Sequence, residues 1–315
     1  ISSRPVSQPR WRKLTLACSV KQMILSGRRL ENSSDSWRLD TELLLAHVLG
    51  KTREYLFAWP EFEIEETAQK RFNELLGRRS KGEPVAYLIG KKFFWDFELS
   101  VNSDVLIPRP ETEFLVEKAI ELAQSIEISR FAEANEVTGV ASKSEASAVK
   151  LADLGTGSGA IAIALAKQSA LWQVTAVDKS SAALSVAKNN ARALSVANIE
   201  FLQGSWCQPL GAESYHLIAA NPPYVEAGDS HLTQGSLPFE PEIALVADDQ
   251  GLADIQQIIE QSRACLRNRG WLLIEHGFDQ SGRVAQLMDK AGYVKIGSQA
   301  DLAGIERVAF AQWVK

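Results

Sequence analysis

Beyond residue 149 the chain alternates between short apolar runs and amphipathic stretches. The runs at 149–153, 173–178, 199–203, 215–220 and 270–275 read as buried strands. Between them, 160–168, 181–194, 252–266 and 282–291 carry helical spacing, and 293–298 with 308–313 form two closing strands. Such alternation predicts an α/β domain built on a largely parallel sheet. A strand pair after the last helix fits a Rossmann-like, doubly wound sheet whose final strand runs antiparallel.

The first third has a different rhythm. Residues 11–82 are helical in pattern: Leu39, Leu43, Leu44, Ala46, His47, Val48 and Leu49 follow the capping candidates Asp35 and Ser36, and Gly50 closes the helix. A second helix is expected over 64–79, with Ala68, Phe72, Leu75 and Leu76 on one face. Between 87 and 107 the aromatic alternation of Phe93, Phe94, Trp95, Phe97, Leu99 and Val101 predicts a hairpin, which Pro108 and Pro110 end. Phe114, Leu115, Ala119 and Leu122 mark a helix over 111–124. Residues 126–147 are rich in Ser, Ala and Glu and read as a flexible insertion. The expected organisation is a disordered leader (1–10), a small helical bundle (11–85), a β-hairpin linker (86–107) and an α/β domain (108–315).

Composition removes several classes of function. Acidic residues outnumber basic ones, 39 to 34, which argues against a stable nucleic-acid complex held by a broad basic surface. A local basic stretch precedes Glu31: Arg4, Arg10, Arg12, Lys13, Lys21, Arg28 and Arg29. It is either a solvated first helix with a loose leader, or a surface that meets RNA or serves import. Cys18, Cys207 and Cys265 show no paired spacing, which suits a reducing cytoplasm. No apolar run approaches the ~18 residues of a membrane span. His47, His216, His231 and His276 lack metal-ligand spacing, so no metal is expected.

Three motifs carry chemistry. In Asp153-Leu154-Gly155-Thr156-Gly157-Ser158-Gly159, a strand turns sharply into a helix. Glycines there let a ligand approach the backbone, and the helix start offers free N–H groups. Asp178 ends the next strand, about 20 residues further on, where an acid can accept both hydroxyls of a ribose. Its plainer role is to cap the helix that follows. These two motifs admit either a dinucleotide or S-adenosylmethionine.

The third motif separates them. An apolar strand runs into Asn221-Pro222-Pro223-Tyr224. Prolines stiffen the turn, while the Asn221 side chain and the Pro222 carbonyl present two acceptors for the two hydrogens of an –NH₂. Tyr224 can cover a planar nucleophile. An amide nitrogen is a poor nucleophile because its lone pair is delocalised. Fixed acceptors that favour a pyramidal nitrogen stabilise the positive charge growing there as it attacks a methyl-sulfonium. Trp206 either contacts an adenine or belongs to the core. Arg109 and Glu111 either line the site or form a hinge.

The chain resembles the release-factor glutamine methyltransferases of the PrmC/HemK type. The resemblance rests on Asn221–Tyr224 together with Gly82-Glu83-Pro84-Val85-Ala86-Tyr87-Leu88, Ile107-Pro108-Arg109-Pro110-Glu111-Thr112-Glu113, Phe239-Glu240-Pro241 with Ala244-Leu245, and Leu273-Ile274-Glu275-His276-Gly277. It implies S-adenosyl-L-methionine as cofactor. As substrate it implies the Gln of the Gly-Gly-Gln loop in class-1 peptide chain release factors. By matching motif, Asp153, Gly155, Thr156, Gly157, Ser158, Gly159, Asp178, Trp206 and Asn221 would contact the cofactor. Asn221, Pro222, Pro223, Tyr224 and Arg109 would contact the substrate, with Asn221, Pro222 and Tyr224 catalytic, and the helical bundle would help dock the release factor. Relatives often carry an acid before the tryptophan; here it is Ser205, which puts a carboxylate contact to the adenine amine in doubt. Two other readings remain: methylation of an exocyclic base amine in DNA or RNA, and a non-catalytic cofactor-binding partner of the translation machinery.

Overall fold

The computed structural model describes residues 18–138 and 148–315. The expected leader, and residues 139–147 of the expected insertion, lie outside them. The chain forms two compact units, the first ending at Ile89 and the second beginning at Gly90.

The first unit comprises β1 (Cys18–Ser19), α1 (Val20–Ser26), α2 (Trp37–Leu49), α3 (Arg53–Ala58), β2 (Glu63–Ile64), α4 (Glu66–Arg79) and α5 (Val85–Ile89). Leu44, Leu45, Leu56, Phe72 and Leu76 are its fully buried centre. Gly50 ends α2 in the left-handed region, φ 61°, where glycine carries no Cβ penalty. Ser36 stands at the start of α2 but does not cap it. Its hydroxyl donates to the Asp40 carboxylate at 3.0 Å, which also accepts from Arg79 Nε at 2.7 Å. The hydroxyl donates to a charged acceptor in the first turn.

The second unit opens with the hairpin β3 (Lys91–Phe94) and β4 (Phe97–Ser100), followed by α6 (Thr112–Thr138). Then come β5 (Val149–Leu154), α7 (Ala160–Gln168), β6 (Trp172–Asp178), α8 (Ser181–Ala193), β7 (Ile199–Gln203) and β8 (Tyr215–Ala220). After a looped stretch holding β9 (Val225–Glu226), β10 (Val246–Ala247) and the short turn α9 (Asp248–Gly251), the chain completes α10 (Ala253–Cys265), β11 (Leu266–Glu275), α11 (Ser281–Lys290), β12 (Val294–Ala300) and β13 (Glu306–Gln312). The seven-stranded sheet has the order β12-β13-β11-β8-β5-β6-β7. Strands β11, β8, β5, β6 and β7 are parallel, and β13 runs antiparallel to both its neighbours. This is the predicted architecture.

Two expectations about boundaries change. The hairpin is not a separate linker: Phe94, Phe97 and Leu99 are buried in the same apolar cluster as α6, α7 and β5. Residues 126–138, expected within a flexible insertion, continue α6 instead. Ile126 packs against that cluster, and the Glu127 carboxylate accepts the Trp172 indole N–H at 2.6 Å. Such packing supplies what a weak apolar periodicity does not.

Candidate active site

The parallel strands place their C-terminal ends along one edge of the sheet, the usual ligand side of such a fold. A cavity of about 320 Å³ opens there, within the range of small-molecule sites. Gly155, Gly157, Asp178, Trp206, Asn221 and Pro223 line it.

The glycine turn divides its labour. Gly155 and Gly157 face the cavity, and both take positive φ. Asp153, Thr156, Ser158 and Gly159 are not among its lining residues. Asp153 is fully buried. It accepts from the Thr156 hydroxyl at 2.6 Å and from the Ala162 amide at 3.1 Å, so it fixes the turn from behind. Burial pushes its carboxyl up to about 7. A Cβ on Gly159 would lie 3.1 Å from Ile163 and 3.2 Å from Ala187, so this glycine serves the packing of α7 on α8.

Asp178, at the tip of β6, accepts from the Gly157 amide at 2.9 Å and the Ser180 amide at 2.8 Å. Burial raises its carboxyl above the ordinary value, and those two amides together with that of Lys179 pull it back. The helix cap is supplied by Ser180, whose hydroxyl accepts from Ala183. Asp178 therefore keeps lone pairs for a diol. Trp206 takes a left-handed backbone, φ 48°, and its indole N–H donates to Asp254 at 3.1 Å. Asp104, Asp178 and Asp254 line the cavity against a single cation, Lys179. Three carboxylates suit a sulfonium-bearing nucleoside and oppose a diphosphate.

At the tip of β8, the Asn221 –NH₂ donates to the Thr112 hydroxyl at 3.0 Å. That bond leaves its carbonyl oxygen available as an acceptor. Behind it lies Glu275, at the end of β11 and 1 % exposed. Burial pushes the Glu275 carboxyl up to about 7, while hydrogen bonding from Thr112 and Asn221 favours its charged form. Pro222 is buried and Tyr224 half-buried, and neither lines the cavity. The Tyr224 carbonyl accepts from Gln280 Nε2 at 3.1 Å. Gly251, φ 77°, leaves no room for a Cβ, which would meet that carbonyl oxygen at 2.1 Å.

Arg109 does not line the cavity either. Its guanidinium is paired with Glu240 at 2.6 Å, and the other Glu240 oxygen accepts the Ile107 amide at 3.1 Å. This buried carboxylate ties the Pro-Arg-Pro segment to the loop before β10. Among the described residues no cluster of His, Cys, Asp and Glu could hold a metal ion, and no helix is long and apolar enough to cross a membrane.

Sequence reasoning missed Thr112, Glu275, Gln280, Gly251 and Asp254 as parts of this site. One signal was present: Glu275, like Asp178, is an acid ending an apolar strand.

With the fold and the charged cavity in place, similarity to known proteins defines a methyltransferase of the doubly wound class. The family model described as "PrmC N-terminal domain" matches residues 26–90, and that described as "Methyltransferase small domain" matches 140–236. A release factor glutamine methyltransferase of Aliivibrio fischeri is 38% identical over 297 residues, covering 94% of this chain and 95% of its own. The protein of that name from Coxiella burnetii is 42% identical over 285 residues, covering 90% and 95%. A solved methyltransferase structure from Pyrococcus furiosus aligns with a TM-score of 0.48 at 12% identity, covering 77% of this chain and 100% of that one. The chain belongs to the release factor glutamine methyltransferase family.

Proposed function

We propose that this chain is an S-adenosyl-L-methionine-dependent protein-(glutamine-N5) methyltransferase. Its substrate is the side-chain amide of the Gln in the Gly-Gly-Gln loop of class-1 peptide chain release factors. The observation that carries this reading is the pinned Asn221: Thr112 takes its –NH₂, and the residue borders the cavity that Asp178 also lines.

S-adenosylmethionine, when bound, supplies an electrophilic methyl group. Asp178 accepts the ribose hydroxyls, Gly155 and Gly157 admit the ligand close to the backbone, and Trp206 borders the adenine. Asp153, Thr156, Ser158 and Gly159 shape the turn that carries those glycines. The Asn221 and Pro222 carbonyl oxygens accept the two hydrogens of the substrate carboxamide, and Pro223 keeps the corner rigid. Tyr224 covers the amide plane. Positive charge grows on the amide nitrogen during transfer, so both acceptors bind the transition state more strongly than the ground state. Arg109, braced by Glu240, holds the Pro-Arg-Pro segment for the substrate.

The helical unit docks the release factor. Phe57, Trp59 and Phe62 are exposed on it, at 54%, 60% and 44%, and aromatic side chains are favoured at protein interfaces. The enzyme works in the cytoplasm, where release factors act.

The test is transfer of labelled methyl from S-adenosylmethionine to a purified class-1 release factor and to its Gly-Gly-Gln variant with Gln→Ala. Label on the first and none on the second is expected. Label on DNA or RNA, with none on the factor, would overturn the reading.

A further inference from the structure

Ser205, just before Trp206, offers the cavity a neutral hydroxyl and no carboxylate. Adenine differs from hypoxanthine by carrying a donor –NH₂ in place of a carbonyl. A site that selects adenine therefore needs an acceptor there.

The cavity contains one in another place. Asp254, in the first turn of α10, lines it beside Ala183, Gly204, Ser205 and Trp206. Its Oδ1 accepts the Trp206 indole N–H at 3.1 Å. The far edge of the same indole reaches Gly155, where an added Cβ would lie 3.2 Å from the ring. The indole thus lies between the glycine turn and α10, its N–H edge fixed by Asp254. One Asp254 oxygen is occupied by Trp206, and a carboxylate has a second to offer.

We infer that Asp254 supplies this acceptor, its second carboxylate oxygen accepting a hydrogen from the exocyclic amine of the adenine. The chain then reads the base from α10 rather than from the residue before the tryptophan. This rests on the adenosyl-ligand reading above. Ser205 and Gln257 also border the cavity, but their neutral oxygens make weaker acceptors than a carboxylate. Burial raises the Asp254 carboxyl above its ordinary value, the Trp206 indole N–H pulls it back, Asp248 raises it further, and Lys179, the cation among the lining residues, lowers it.

The experiment is calorimetric titration of the full chain with three ligands. They are S-adenosylhomocysteine, its purine analogue lacking the amine, and its inosine analogue bearing a carbonyl. Asp254→Asn keeps a carbonyl for the indole and can turn an –NH₂ toward the base. The unaltered chain should bind the adenosyl compound about tenfold more tightly than the purine compound. Asp254→Asn should lose that preference and bind the inosyl compound more tightly than the unaltered chain does, a gain that damaged folding cannot produce. Equal weakening toward all three ligands would make Asp254 a brace for Trp206 alone and overturn the inference. An unchanged ranking, or loss of preference in Ser205→Ala instead, would overturn it too. Failure of the unaltered chain to bind any of the three would sink the adenosyl reading itself.

Discussion

Replacing Glu275 by Gln tests the chemistry behind Asn221. Glu275 is 1 % exposed, and one of its carboxylate oxygens, Oε2, is buried without a hydrogen-bond partner. Burial moves its carboxyl from the ordinary 4.5 up to about 7. The unfolded chain releases this proton near 4.5, whereas the folded chain keeps it until about 7. Between those values the unfolded state binds fewer protons, so stability falls as pH rises. The loss from this one group amounts to at most about 3 kcal/mol. Asp153, also pushed up to about 7, contributes in the same direction and is present in both proteins. Gln cannot ionise, so Glu275→Gln should gain on the unaltered chain by up to about 3 kcal/mol between pH 4.5 and 8. Native-state hydrogen exchange of peptides from β11, compared at each pH, reads this directly, because intrinsic exchange rates cancel between the two proteins. A difference that stays constant across that range would refute the argument.

Asn221→Ala should lower methyl transfer by about a hundredfold or more, the scale of losing one fixed transition-state contact. Circular dichroism should show an unchanged fold, and unchanged turnover would remove Asn221 from the mechanism. Gly251→Ala forces a Cβ toward the Tyr224 carbonyl, 2.1 Å away. It should cost about 1–2 kcal/mol of stability for a left-handed Ala, and slow transfer by about a hundredfold through displacement of the tyrosine loop. Thermal melts and single-turnover rates measure the two effects. Thr112→Val removes the hydroxyl that takes the Asn221 –NH₂. Its turnover should drop about tenfold, while affinity for S-adenosylhomocysteine by calorimetry stays the same.

The order of strands and helices was legible in the sequence because it depends on periodicity, which is local. The runs at 199–203 and 215–220 and the helix at 160–168 have the observed limits. The glycine turn, Asp178 and Asn221–Tyr224 were equally visible, since each occupies a strand end that short-range pattern defines. Other features depended on tertiary contact. Residues 126–130 are poor in apolar periodicity, and only the Trp172 and core contacts explain their place in α6. The hairpin belongs to the α/β unit because Phe94 and Phe97 sit inside its core, a placement that local pattern does not encode.

The site shows the same division. Sequence named Asn221 as an expected acceptor, but its side-chain amide is held by Thr112, 109 residues away in the chain. Glu240 reaches Ile107 across 133 positions, and Trp206 is fixed by Asp254 across 48. A motif specifies which atoms are available within a few residues. Which way a carboxamide points, and which carboxylate shares a cavity with which indole, are set by strand register and helix packing, and so only the folded chain decides them.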